Sequence, residues 1–88
     1  MVSQDVEIIN KLGLHARPAA ELVKTASRFE SEIYFKKDTL QVNGKSIMGV
    51  MMLAAEKGAI IKIIVEGKDE VKALAAMVKV FENKFGEE

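Results

Sequence analysis

The chain has 88 residues, of which 49% are hydrophobic and 30% charged, and its thirteen basic residues cancel its thirteen acidic ones. The length fits one small domain, residues 1–88, and leaves no room for a second substrate domain, so any chemistry must be shared with larger proteins. Balanced charge weighs against nucleic-acid binding, and the absence of cysteine excludes disulfides, thiolate catalysis and cysteine-type zinc sites.

The first ten residues carry no basic start followed by an apolar run, so no signal peptide is expected. The longest apolar stretch falls short of the ~20 residues that a membrane span needs. A small domain without disulfide staples points to the cytoplasm.

Val2 to Ile9 reads as a strand, with Val6 and Ile8 on one face. Asn10 to Gly13 is a loop. From Ala16 the apolar period becomes helical, through Ala19, Leu22, Val23, Ala26 and Phe29, which predicts a helix over about 16–27. Pro18 suits its first turn, where N–H groups have no internal partner.

Glu32 to Lys37 alternates as a strand. A short Asp38-Thr39 break leads to a second strand over Leu40–Asn43, so the two form a hairpin. Asn43-Gly44 is a turn signal. Ser46 to about Ala54 predicts a short apolar helix ending towards Lys57-Gly58, with Ser46 as its N-cap. Within it Val50, Leu53 and Ala54 are expected to pack inwards.

Ala59 to Glu66 is the most β-prone run and is expected to be a central strand. Gly67 turns the chain, and Asp69 is placed to cap the last helix. Val71, Leu74, Val78, Phe81 and Phe85 form its expected buried stripe. Gly86 closes it, and Glu87-Glu88 reads as a frayed tail. The order β-α-β-β-α-β-α predicts a two-layer α+β domain with the first and third helices on one face of the sheet.

His15 is the only histidine and Pro18 the only proline. One reading makes His15 a plain N-cap or surface residue. The other makes it a nucleophile at a helix mouth. There the N–H groups of Ala16 and Arg17 point towards its ring, and a helix N-terminus favours anions. Arg17 adds a permanent cation whose fork suits phosphate oxygens. Positive surroundings disfavour a protonated imidazole, and only a neutral nitrogen attacks phosphorus.

A metal site needs several ligands, and there is no second histidine and no cysteine to supply them, so none is expected; no cofactor is implied. Gly44-Lys45-Ser46 lacks the earlier glycine of a phosphate loop, since Thr39 stands there. A serine-hydrolase elbow fails at Met48. Ser46 is either a simple N-cap or a phosphorylation site at a helix start. Ile47, Met48 and Met51 are either core or a docking face, which Ala20 and Lys24 would extend; flexible methionines suit surfaces that meet several partners.

Gly13-Leu14-His15-Ala16-Arg17-Pro18 resembles the active-site motif of the HPr family, the histidine-containing phosphocarriers of the bacterial sugar phosphotransferase system. Lys45-Ser46-Ile47-Met48-Gly49-Val50-Met51 resembles the serine-site motif of the same family. The resemblance covers the whole chain. It implies an open-faced β-sandwich: four antiparallel strands with three helices on one side.

It implies further that His15 takes a phosphoryl group on Nδ1 from enzyme I, itself charged by phosphoenolpyruvate, and passes it to an enzyme IIA domain. Arg17 would stabilise the phosphohistidine. Ser46 would be the target of an HPr kinase/phosphorylase. Apart from the resemblance, Ser46 at a helix start beside an apolar patch allows a reading in which its phosphorylated form makes a surface for a transcriptional regulator or an enzyme. Ala20, Lys24, Ile47, Met48 and Met51 match partner-docking positions. The carrier is expected to be a monomer and not itself an enzyme.

The segment Val6 to His15 looks more like the nitrogen-related NPr branch, whereas the Ser46 segment looks more like the carbon-regulatory branch. Met52-Leu-Ala-Ala-Glu56 departs from the Ser-Leu-Gly or Thr-Leu-Gly of many carbon-branch members. The alternatives are therefore an NPr-like carrier, or a regulatory binding module acting through phospho-Ser46.

Overall fold

The computed structural model describes residues 1–86. In chain order the elements are β1 (Val2–Glu7), α1 (Ala16–Ala26), β2 (Glu32–Lys37), β3 (Leu40–Asn43), α2 (Ile47–Met52), β4 (Ile60–Glu66) and α3 (Glu70–Glu82), with a short 3-10 turn over Lys84–Gly86. The expected tail at Glu87-Glu88 lies outside the described residues.

The strands form one sheet in the order β1-β4-β2-β3, with every neighbouring pair antiparallel. β4 is central, as its apolar run predicts. That run nonetheless alternates: Ile61, Ile63 and Val65 are buried, while Ile60 is exposed and Ile64 half-buried. Only one face of the sheet is covered by helices, so a strand that reads as apolar throughout still has an inside and an outside.

β2 and β3 pair from Tyr34↔Asn43 to Lys37↔Leu40, which leaves Asp38 and Thr39 as the hairpin turn. Asp38 takes φ 55, a left-handed conformation that aspartate tolerates. Phe35 and Ile33 point from β2 into the core, where Phe35 meets Phe81 of α3 edge-on at 5.8 Å. Phe81 meets Phe85 at 5.1 Å. Such edge-to-face pairs stabilise beyond their buried area.

The α3 stripe differs from expectation. Its fully buried residues are Ala73, Met77 and Phe81, one turn apart, with Leu74 and Val78 half-buried beside them. Val71 is 70% exposed, because two residues before Ala73 is nearly the opposite side of a helix.

Nor does Asp69 cap α3 through its side chain. Its carboxylate reaches instead across to the end of the α1–β2 loop. There it accepts from the N–H groups of Glu30 and Ser31, each at 3.0 Å, and from the Ser31 hydroxyl. Glu70 accepts from the N–H of Gly67 at 3.1 Å and pairs with the chain's amino group at 3.3 Å. The Ser31 hydroxyl and the Glu30 N–H hold the Asp69 carboxyl below the ordinary carboxylate range, and the Gly67 N–H with the terminal amine does the same for Glu70.

Two boundaries also move. β1 ends at Glu7 rather than Ile9, although Ile8 still exchanges hydrogen bonds with Gly58 and Ala59. α2 ends at Met52 rather than Ala54. Ala54 takes φ 48 and faces solvent, and Ala55 takes the buried place expected of it. The early stop frees the carbonyl of Ala55 to meet the segment in front of α1.

Candidate functional site at the mouth of α1

The chain enters α1 through a tightly bonded loop. Gly13 has φ 71, where a β-carbon is strained. A β-carbon there would also overlap the carbonyl oxygen of Ala55 and lie 3.0 Å from Cα of Glu56. The N–H of Leu14 donates to that carbonyl at 2.9 Å, and the N–H of His15 donates to the Gly13 carbonyl at 3.0 Å. Two loops distant in sequence thus meet under the start of α1.

His15 occupies the N-cap position in extended conformation, and its side chain makes no capping hydrogen bond. The first bond of the helical ladder runs from the N–H of Ala19 to the His15 carbonyl at 3.1 Å. The N–H groups of Ala16 and Arg17 therefore have no partner within the helix, and Pro18 has none to satisfy. Histidine is half-buried here, with Nε2 shielded from solvent. Arg17 is exposed, and among the described residues no carboxylate pairs with it. Pro18 and Ala19 are buried and anchor the first turn. The mouth brings together a half-buried imidazole, N–H groups outside the helical ladder and an exposed cation, which suits holding an anion without enclosing it.

Ser46 caps α2 as the sequence predicts: its Oγ accepts from the N–H of Gly49 at 3.0 Å. α2 packs against α1 and β3. It buries Val50, with Leu53 at its C-cap, and leaves Ile47, Met48 and Met51 exposed at 45%, 77% and 42%. The choice between core and surface is thus settled towards surface. Ala20 and Lys24 are exposed on α1. Met52 is exposed too, and so is Leu12 in the loop before His15.

The family described as "PTS HPr component phosphorylation site" matches residues 2–83. The phosphocarrier protein HPr of Treponema pallidum is 53% identical over 88 residues, covering 100% of both chains. This chain belongs to the HPr phosphocarrier family. Two solved HPr structures agree. The crystal structure of HPr-C-His from Thermoanaerobacter tengcongensis matches with a TM-score of 0.95 at 52% identity, covering 100% of this chain and 99% of that one. An HPr dimer from the same organism matches at 0.79 with 52% identity, covering 99% of this chain and 100% of that one. The open-faced sandwich expected from the motifs is the fold of this HPr-family chain, and its role is that of a phosphoryl carrier.

Two parts of the HPr-family mouth, and two lysine contacts on other segments, were not read from the sequence. Asn10 is buried, and its Nδ2 donates to the Gly13 carbonyl at 2.8 Å. Ala55 supplies a main-chain acceptor, which no side-chain pattern announces. Lys37 and Lys45 send their ammonium groups to the carbonyls of Leu53 and Phe29, at 3.1 and 2.7 Å. These lysines tie off the ends of α2 and of the segment after α1. Only Asn10 left a signal, as an amide beside a glycine three residues on, a spacing that suits side-chain closure of a turn.

Proposed function

We propose that His15 accepts a phosphoryl group from enzyme I and passes it to an enzyme IIA domain, within the phosphoenolpyruvate-dependent sugar phosphotransferase system. The observation that carries this reading is the placement of His15 at the N-cap of α1, beside main-chain N–H groups that lie outside the helical ladder. Shielding of Nε2 supports Nδ1 as the attacking atom; attack through Nδ1 requires the ring proton to sit on Nε2. The Nδ1 lone pair forms the new bond to phosphorus. The bond from phosphorus to the donor breaks, and its electron pair stays with the donor. No proton need move, and transfer to the acceptor domain reverses the roles.

Phosphoryl transfer passes through a loose transition state, so alignment and charge stabilisation carry the catalysis. The N–H groups of Ala16 and Arg17 and the Arg17 guanidinium supply charge stabilisation, and Pro18 pre-sets the first turn. An open mouth holds its cargo only moderately, as a carrier must. Ala20, Lys24, Ile47, Met48 and Met51 form the docking surface for both partners. The chain acts as one domain, as a monomer and in the cytoplasm, and sedimentation checks the oligomeric state.

Incubation with enzyme I and phosphoenolpyruvate labels the protein, and His15→Ala abolishes the label. Label that survives the substitution removes His15 from the role.

A second reading is supported by Ser46 beside the exposed Ile47, Met48 and Met51. Ser46 is the target of an HPr kinase/phosphorylase, and its phosphate alters docking or recruits a transcriptional regulator. Failure of ATP and such a kinase to modify Ser46 rejects it. Transfer to nitrogen-related partners in place of sugar-specific IIA domains would mark an NPr-like carrier.

A further inference from the structure

We infer that Asn10 is a positioning residue for phosphoryl transfer, an inference that rests on His15 as the acceptor. Asn10 is 2% exposed, although the next residues, Lys11 and Leu12, are exposed. A buried amide is costly unless it is bonded, and an apolar residue would fill the same space at lower cost. Asn10 supplies a side-chain donor to this loop, which no apolar residue can. Its Nδ2 donates to the Gly13 carbonyl at 2.8 Å, and its own carbonyl accepts from the N–H of Gly13 at 3.3 Å.

The Gly13 carbonyl and the Leu14 N–H belong to one peptide plane. Asn10 holds its oxygen, and the Ala55 carbonyl accepts from its N–H at 2.9 Å. The plane is pinned at both ends. The same oxygen accepts from the N–H of His15 at 3.0 Å, so the pinned plane also sets the main chain of the accepting residue. Through it Asn10 fixes where the imidazole stands relative to the donors of Ala16 and Arg17. No atom of Asn10 takes part in the bond-making itself. A displacement of about 1 Å in a reacting group can cost up to about a hundredfold in rate.

The test compares Asn10→Ala and Asn10→Asp with the unaltered protein in labelling by enzyme I and phosphoenolpyruvate. Alanine removes the donor without adding charge; aspartate keeps the shape, removes the donor and adds a carboxylate, so a kcat effect shared by both variants is the one assigned to the donor. The expected result is a kcat lowered about tenfold with KM changed by less than about twofold, because alignment is lost while the docking surface is intact. Amide hydrogen exchange supplies the local readout: the His15 N–H exchanges about tenfold faster in the variants, while that of Leu22, inside α1, is unchanged.

An unchanged kcat in folded variants overturns the inference. So does equal acceleration of exchange at His15 and Leu22, which would make Asn10 a stabiliser of the whole fold only. If Asn10→Ala does not fold, Asn10→Asp decides; if neither folds, the positioning role is rejected. His15→Ala in the same assay tests the underlying reading separately. Should label survive there, the acceptor assignment fails, while the exchange data still report whether Asn10 holds the His15 main chain.

Discussion

The N–H of Leu14 donates to the carbonyl of Ala55 at 2.9 Å, joining the loop that carries His15 to the loop that follows α2. That bond lets a short loop hold a defined shape without a deep pocket around it. The join leaves no room beside Gly13. Gly13→Ala forces a methyl group towards the Ala55 carbonyl and a left-handed φ on a residue with a β-carbon. The expected loss is about 2 kcal/mol or more in urea unfolding, because strain and overlap add. Labelling should fall further than stability explains. A variant as stable as the parent would show that the join is loose.

The acid side of the stability profile follows from Asp69 and Glu70. Both carboxyls titrate below their ordinary range in the folded chain, Asp69 because of the Ser31 hydroxyl and Glu30 N–H, Glu70 because of the Gly67 N–H and the terminal amine. A lowered folded pKa means that the unfolded chain binds protons first as pH falls. The contribution is therefore full above the ordinary carboxylate range, about pH 4–5, and is lost as pH falls through the lower folded values. Asp69→Ala should lower the urea midpoint at neutral pH, and its difference from the parent should shrink towards acid. A difference that does not change with pH would place the effect in packing.

Arg17 is exposed, which bounds its role. Solvent screening limits a surface charge pair to about 1 kcal/mol or less, equivalent to a rate factor of about five. Arg17→Ala should therefore still take label, with phosphohistidine hydrolysing up to about fivefold faster. Added salt should narrow the gap between variant and parent. A complete loss of labelling would assign Arg17 a larger part in the transfer step than an exposed cation can play alone.

Much of this is legible in the sequence because periodicity and turn chemistry act locally. The helical spacing from Ala16, the two-residue break at Asp38-Thr39 and the β-branched run of β4 each specify an element with little help from elsewhere. Ser46 reads as a cap and is one. Misreadings occur where distant segments compete for the same group. The Asp69 carboxylate goes to Ser31 and Glu30 rather than to its own helix, because those N–H groups lie across the turn. α2 stops before Ala54 and presents the Ala55 carbonyl to Leu14. The stripe of α3 runs through Ala73, Met77 and Phe81 and leaves Val71 outside, a rotation that the apolar side chains alone do not specify. Main-chain acceptors and long-range carboxylate bonds leave no pattern in a single sequence.

Ser46 allows its two readings to be separated in one pair of variants. Its Oγ accepts from the N–H of Gly49, so Ser46→Ala removes a cap and should cost about 1 kcal/mol of stability. The docking surface keeps its charge, so labelling by enzyme I should change by less than about twofold. Aspartate is as good a cap as serine, so Ser46→Asp should keep its stability. It adds a negative charge beside the exposed Ile47, Met48 and Met51, where a partner must dock. If enzyme I presents acidic groups to that surface, like charges at the interface slow labelling by about tenfold at low salt, and salt relieves part of the effect. Equal labelling of both variants would leave Ser46 as a cap and nothing more. Slow labelling of Ser46→Asp alone would make the capping position a control point for the histidine on the neighbouring helix.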